Sequence, residues 1–165
     1  MASNDTSDEI PSDITIEMDR DTVSATTVVA APPADVFDFV RRPANHSVIS
    51  GDTTVKGTTV GPEVLNEGDR FGMKMRNYGV PYKVTSQVKE FQEGTKIAWS
   101  HFSGHRWRWT LEPTADGDTR LTETFDLSTA RLPPALRLMG FPKGHRANVA
   151  RSVANVRDHF ASRSS

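Results

Sequence analysis

The apolar positions of this chain change their period twice. Residues 22 to 31, TVSATTVVAA, are rich in valine and threonine and predict a strand. In the following PPADVFDFV, proline stands at a helix start, Asp35 falls in the first turn, and Val36, Phe37 and Val40 are spaced for one helical face, predicting a short helix. RPANHSVIS restarts after Pro43 and predicts a second short helical turn. From Asp52 the period becomes two. Phe71, Met73 and Met75 alternate with Gly72, Lys74 and Arg76; Tyr82, Val84, Ser86 and Val88 alternate with Lys83, Thr85, Gln87 and Lys89. TKIAWSHF, HRWRWTLEP and TRLTETFDLS each follow a glycine-containing turn, the mark of an antiparallel meander. After PPALRLMGFPKG, read as a short helix and a break, Val149, Val153, Val156 and Phe160 recur at helical spacing and mark one face of a long amphipathic helix.

The predicted order is a strand, two short helices, about six strands and a long C-terminal helix, an α+β arrangement. A curved antiparallel sheet of this size needs its apolar face covered, and the C-terminal helix is the one predicted element long enough to do so. At 165 residues one domain with its own core is expected.

Charge changes the picture at the N-terminus. The net charge is -1, yet residues 1 to 21 sum to -6 and the remainder to +5. Residues 1 to 21 are therefore expected to be an acidic disordered tail before a domain over 22 to 163, with ITIEM at 14 to 18 as an exception whose alternation suits a short added strand. The chain has no cysteine, which excludes disulfides, thiolate metal sites and a cysteine nucleophile. Its start lacks a basic, apolar leader and no run is long enough to span a membrane, so the expectation is a cytoplasmic protein with no stable membrane insertion.

The stretch SHFSGHRWRW, 100 to 109, concentrates two histidines, two arginines and two tryptophans. The strand period sends Trp107, Trp109 and Leu111 to one face and Arg106, Arg108 and Thr110 to the other. Nucleic-acid stacking surfaces need aromatics and cations on one accessible face, so no nucleic-acid partner is expected. The arginines belong to a solvated outer face, paired with carboxylates such as Glu90 or Glu112. His101 and His105 flank a soft Ser-Gly turn without metal-ligand spacing, and no metal and no cofactor are expected. His46 lies near the second short helix, His145 at a helix start, and His159 is expected to face solvent.

In TRLTETFDLS the apolar set Leu121, Phe125 and Leu127 places Glu123 on the inner face. A three-residue ADG loop would set Trp109 opposite Glu123 and Leu111 opposite Leu121. A carboxylate on an apolar face is costly unless hydrogen-bonded or protonated, which marks Glu123 as an acid/base candidate; an inner glutamate satisfied by Tyr82, Trp109 or a strand neighbour is the alternative.

The segments VVAAPPADVFDFVRRPANH, GVPYKVTSQVKEFQEGTKIAWS, HRWRWTLEP and DTRLTETFDLS, in this order, resemble the helix-grip (SRPBCC) superfamily, which includes START lipid-transfer domains, the birch-pollen allergen fold and bacterial polyketide cyclase/dehydrase-like proteins. The resemblance runs from about Val23 to Phe160 and is nearest to the polyketide-cyclase-like group. It implies a cavity between sheet and long helix for a hydrophobic or aromatic-polar small molecule. On that reading Phe71, Met73, Met75, Tyr82, Val84, Trp99, His101, Trp107, Trp109, Phe125 and Met139 are the expected ligand-binding residues.

Two functions stay open: a carrier of a lipid, polyketide or aromatic metabolite, or a cyclase/dehydratase in which Glu123 removes a proton beside a ketone while Tyr82 or His101 donates to its oxygen. No nucleophile, base and orienting group stand together, which favours binding. ARLPPALRLMGFPKG, 130 to 144, combines apolar side chains with prolines and glycines and is expected to act as a lid, a packed connector or a homodimer contact. Arg131, Arg137, Lys143, Arg146 and Arg151 form a basic cluster around it that suits an acidic partner, or the chain's own acidic start.

Overall fold

A computed structural model describes residues 9–51, 54–101 and 103–164. Residues 1–8 of the expected tail, Asp52 and Phe102 lie outside the described residues. The sheet holds eight antiparallel strands: β1 (Thr15–Met18), β2 (Thr22–Val29), β3 (Val55–Val60), β4 (Arg70–Asn77), β5 (Val80–Gln92), β6 (Lys96–Ser100), β7 (Arg106–Pro113) and β8 (Thr119–Asp126). The helices are α1 (Pro33–Val40), α2 (His46–Ile49), α3 (Pro133–Leu138) and α4 (Arg146–Arg163). Across the sheet the order is β1-β2-β8-β7-β6-β5-β4-β3, so α1 and α2 carry the chain from one side of the sheet to the other and the meander returns it.

The strand count exceeds the expected six to seven because ITIEM pairs with β2, Ile16 opposite Ala25. The ordered fold therefore begins before the boundary expected at residue 22: Ile14 is buried, Asp21 pairs with Arg137 at 2.6 Å, and Asp13 pairs with Arg157.

Each element forms where the pattern places it. In β2 the alternate residues Val23, Ala25, Thr27 and Val29 are buried. α1 begins at Pro33, which sacrifices no helical donor at that position, and buries Val36, Phe37, Phe39 and Val40. α4 buries Val149, Val153 and Val156 against β2 and β8, each contributing about 1.5–3 kcal/mol. Beside this stripe runs a polar one, Asn148, Ser152 and Asn155, which holds α2. The Gly51 amide donates to Ser152 Oγ at 3.1 Å and Asn155 Nδ2 donates to the Ile49 carbonyl at 3.2 Å. Glycine is required at 51, since a Cβ there would stand 2.2 Å from the Asn148 carbonyl oxygen.

Between β7 and β8 the register is Trp109 opposite Glu123 and Leu111 opposite Leu121. The loop that sets it is Ala115, Asp116 and Gly117, with Gly117 at φ 84° and the Thr114 amide bonded to the Asp118 carbonyl at 2.9 Å. On the outer face Glu90 accepts hydrogen bonds from Arg106 (2.9 Å) and from Arg108 (2.8 Å), while Arg108 also reaches Asp126 at 3.0 Å. A bulge between Val88 and Glu90 makes this possible, for it reverses the alternation of β5 and turns Glu90 outward while Phe91 packs on Phe37.

The Arg108 hydrogen bond, followed by that of Arg106, draws the Glu90 carboxyl down to about 2 from its ordinary value of 4.5. The folded chain thus binds fewer protons than the unfolded chain in that window; the stabilisation is whole above about 4.5 and is lost as the pH falls toward about 2. Replacing Glu90 by glutamine should lower the unfolding free energy at neutral pH by about 1–2 kcal/mol, given a partly solvated multi-arginine network. Urea unfolding should show that difference from the parent shrinking as the pH falls toward 2.

Candidate functional site

Sheet, α2 and α4 border a partly open cavity of about 110 Å³. The inner faces of β4, β6 and β7 supply Phe71, Met73, Met75, Trp99, Trp107 and Trp109. Ser86 of β5, Glu123 of β8 and His101 just past β6 add polar groups; His46, Ile49 and Ser50 border it from α2, Thr54 and Val55 from β3, Asn148 and Ser152 from α4. All three tryptophans of the chain are therefore in its wall.

Its histidines are neutral at physiological pH. Burial pushes His46 down to about 4, and its Nε2 lies 3.0 Å from the Val40 carbonyl oxygen. A carbonyl only accepts, so Nε2 carries the proton and Nδ1 is left as an acceptor. The ring stacks on Trp99, with centroids 4.7 Å apart. His101 is also pushed to about 4, first by burial and then by repulsion from His105 and His46, and its Nδ1 shares a 2.6 Å hydrogen bond with Ser86 Oγ. Burial lowers His105 as well; it bonds Ser103 and packs edge-on to His101. Glu123 is buried between Trp109 and Ala25 on the neighbouring strands. Trp109 Nε1 is buried without a hydrogen-bond partner among the described residues. Among the described residues no three histidine or carboxylate side chains come together as a metal-ligand set.

Of the residues singled out from the sequence, Phe71, Met73, Met75, Trp99, His101, Trp107, Trp109 and Glu123 come together here. Tyr82, Val84, Phe125 and Met139 do not. Tyr82 sits on the cavity-side face of β5 opposite Met75, but beyond the part that the helices cover, and is 41% exposed. Val84 is half-buried beside Met73. Phe125 lies outside the cavity lining, packed among Trp107, His145 and Phe141. Met139 caps the end of α3 and is 72% exposed, whereas its neighbours Leu136 and Phe141 pack against the core. His159, expected in solvent, is instead stacked on Phe39 at 4.1 Å with Nε2 buried. Ile49, Thr54, Asn148 and Ser152 escaped the sequence reading. The spacing of Asn148, Ser152 and Asn155, one residue behind the apolar stripe of α4, was the available signal for the last two.

An unfolded chain protonates its histidines near 6.5 whereas His46 and His101 resist protonation to about 4. The unfolded state therefore binds more protons below 6.5, and stability falls from there down to about 4 before levelling off for these groups. His101→Asn should remove about one proton from this dependence, flattening the slope of unfolding free energy by up to about 1.4 kcal/mol per pH unit. Denaturant titrations across that pH range check it.

The family model described as polyketide cyclase / dehydrase and lipid transport matches residues 20–161. The uncharacterized protein Rv0088 of Mycobacterium tuberculosis strain H37Rv is 37% identical over 143 residues, 84% of this chain and 64% of that protein. The chain thus spans a little under two thirds of the length of the curated relatives it matches. Among solved structures, a protein from Arthrobacter aurescens superposes with a TM-score of 0.69 at 12% identity, covering 92% of this chain and 93% of that one. The di-domain ARO/CYC StfQ from the steffimycin biosynthetic pathway gives 0.62 at 18% identity, covering 87% of this chain and 51% of StfQ. Protein Ms6760 from Mycobacterium smegmatis gives 0.62 at 18% identity over 92% of this chain and 98% of that one. These likenesses establish the helix-grip fold. Among the described residues no helix is long and apolar enough to cross a membrane.

Proposed function

Because the chain belongs to the polyketide cyclase/dehydrase and lipid transport family, we propose that it binds and carries a hydrophobic small molecule in the cavity between sheet and α4. The observation that carries this reading is the composition of the wall: aromatic and methionine side chains, with hydrogen-bonding groups that are neutral histidines, hydroxyls, the Asn148 amide and one carboxyl group, Glu123. Such a wall favours a compact apolar or aromatic body with carbonyl or hydroxyl oxygens, since oxygen acceptors meet donors there. An engineered cavity of about 150 Å³ holds benzene. At about 110 Å³ the space is smaller, so a larger ligand enters by displacing side chains, and Met73 and Met75 are the adaptable ones.

A second reading rests on Glu123. Its carboxylate lines the same cavity as His46, His101 and Ser86, the combination an enolising cyclase or dehydratase needs: a base, and a donor near a carbonyl oxygen. In that chemistry Glu123 takes the proton beside a ketone and the His101–Ser86 pair stabilises the enolate oxygen. Tyr82 has no part in it, being outside the cavity.

Since every tryptophan borders the cavity, selectively excited tryptophan fluorescence reports on it. Titration with apolar aromatic ketones should shift emission in the parent, and Met73→Trp, which fills the space, should abolish saturable binding while leaving a folded protein. Absence of any response across lipids, polyketides and aromatic ketones, with nothing retained in native mass spectrometry of purified protein, would overturn the carrier reading. Turnover of a polyketone that drops about 100-fold or more in Glu123→Gln would establish the enzyme reading over it.

A further inference from the structure

The β4–β5 hairpin extends past the end of β6, while β3 stays beside β4 as far as Arg76. β5 pairs with β6 only from Gln87 onward, whereas its ladder with β4 continues to Val80 opposite Asn77. The tip is a two-residue turn, Tyr78 and Gly79, with φ of 48° and 80°. Such a turn favours Asn-Gly, and a tyrosine in left-handed backbone is strained. Nothing in the fold offsets that cost, because the Tyr78 side chain is 99% exposed. Behind the tip Val80 and Tyr82 are exposed on the cavity-side face.

The other face of the same hairpin is basic. Lys74 stands directly opposite Lys83, an arrangement that destabilises a strand pair. With Lys56 and Arg76 they border a shallow depression that includes Met75 and Tyr82 and no acidic residue. None of the four cations forms an ion pair among the described residues.

We propose that this hairpin docks the protein on a bilayer surface rich in anionic lipid, with Tyr78 at the headgroup level and Lys56, Lys74, Arg76 and Lys83 against the lipid charge. Each local cost is then relieved by one partner: an amphipathic ring belongs at that interface, and each basic side chain near the surface adds to the attraction. An acidic protein would satisfy the lysines but gives no reason for an aromatic tip projecting beyond them. Met75 lines both the depression and the cavity, so docking sets the cavity wall against the membrane that supplies or receives the cargo. This deepens the carrier reading and rests on it for its purpose, though docking itself is measured without a cargo.

The test is co-sedimentation of the full chain with vesicles of phosphatidylcholine, with and without about 30% phosphatidylserine. Partitioning should be confined to the anionic vesicles, weaken with added salt, and drop at least about 30-fold in Lys74→Glu/Lys83→Glu. Tyr78→Asn, which suits the turn, should keep or raise the Tm yet lower partitioning several-fold; a merely structural tyrosine would change only the Tm. Equal partitioning onto neutral vesicles, none onto anionic ones, or no change on charge reversal overturns the proposal, as does binding to heparin or an acidic polypeptide without binding to vesicles. The tryptophan response to aromatic ketones separates the two ideas. Docking with no response to aromatic ketones, lipids or polyketides and nothing retained in native mass spectrometry refutes the carrier reading alone, and a response without docking refutes this proposal alone.

Discussion

The fit of β7 against β8 is the constraint on which both faces of the sheet depend. With Trp109 opposite Glu123, Trp107 also points inward, and Arg106 and Arg108 point outward to Glu90 and Asp126. A slip of one residue would exchange the faces, bringing guanidinium groups into the core and indoles to water. The three-residue loop ending at Gly117 sets this register locally. The outer ion network, which joins β5, β7 and β8 through Glu90, Arg108 and Asp126, holds it from the opposite side. Cavity and charge network are thus two consequences of one pairing.

The cavity persists because its ceiling is fixed by polar contacts as well as apolar ones. The valine stripe of α4 seals the sheet around β2 and β8, while Ser152 and Asn155 tie the end of α2 to the helix. α1 is secured separately. Arg41, buried at its end, donates to the Leu65 carbonyl and to Asn66, pairs with Glu93, and lies over the rings of Phe37 and Phe91. Its head is buried with nearly all its donors engaged, the condition under which a charge inside a protein is tolerated.

What was legible in the sequence was what a period or a turn encodes locally. The faces of β4 and β7, the inward position of Glu123 and the helix after residue 145 follow from spacing; the register of Trp109 on Glu123 follows from three loop residues. What was not legible depends on distant chain. The period of β5 assigns Tyr82 to the inner face correctly, but a period says nothing of whether anything lies over that face, and β5 outruns its cover. Met139 fails for the same reason at α3. The bulge before Glu90 hid in an apparently regular strand, since only its partner Ala98 reveals the extra residue. That residues 15–18 pair with β2 as a strand is likewise something acidic composition cannot show.

The histidines complete the physical picture. His46 and His101 are hydrogen-bonded yet too buried to take up a proton until the pH falls to about 4. A cationic ligand would meet no counter-charge beyond Glu123, while a neutral one meets donors and acceptors that need not be desolvated again, having already lost their water on folding. The sheet therefore separates its tasks by face: its arginines and lysines stand on the outer strands and hairpin, where water or an anionic surface can answer them, while its inner face presents aromatic rings, neutral histidines and the one carboxyl group of Glu123 to the cavity. That division follows from the same alternation that sends Trp107 and Trp109 inward and Arg106 and Arg108 outward within four consecutive residues.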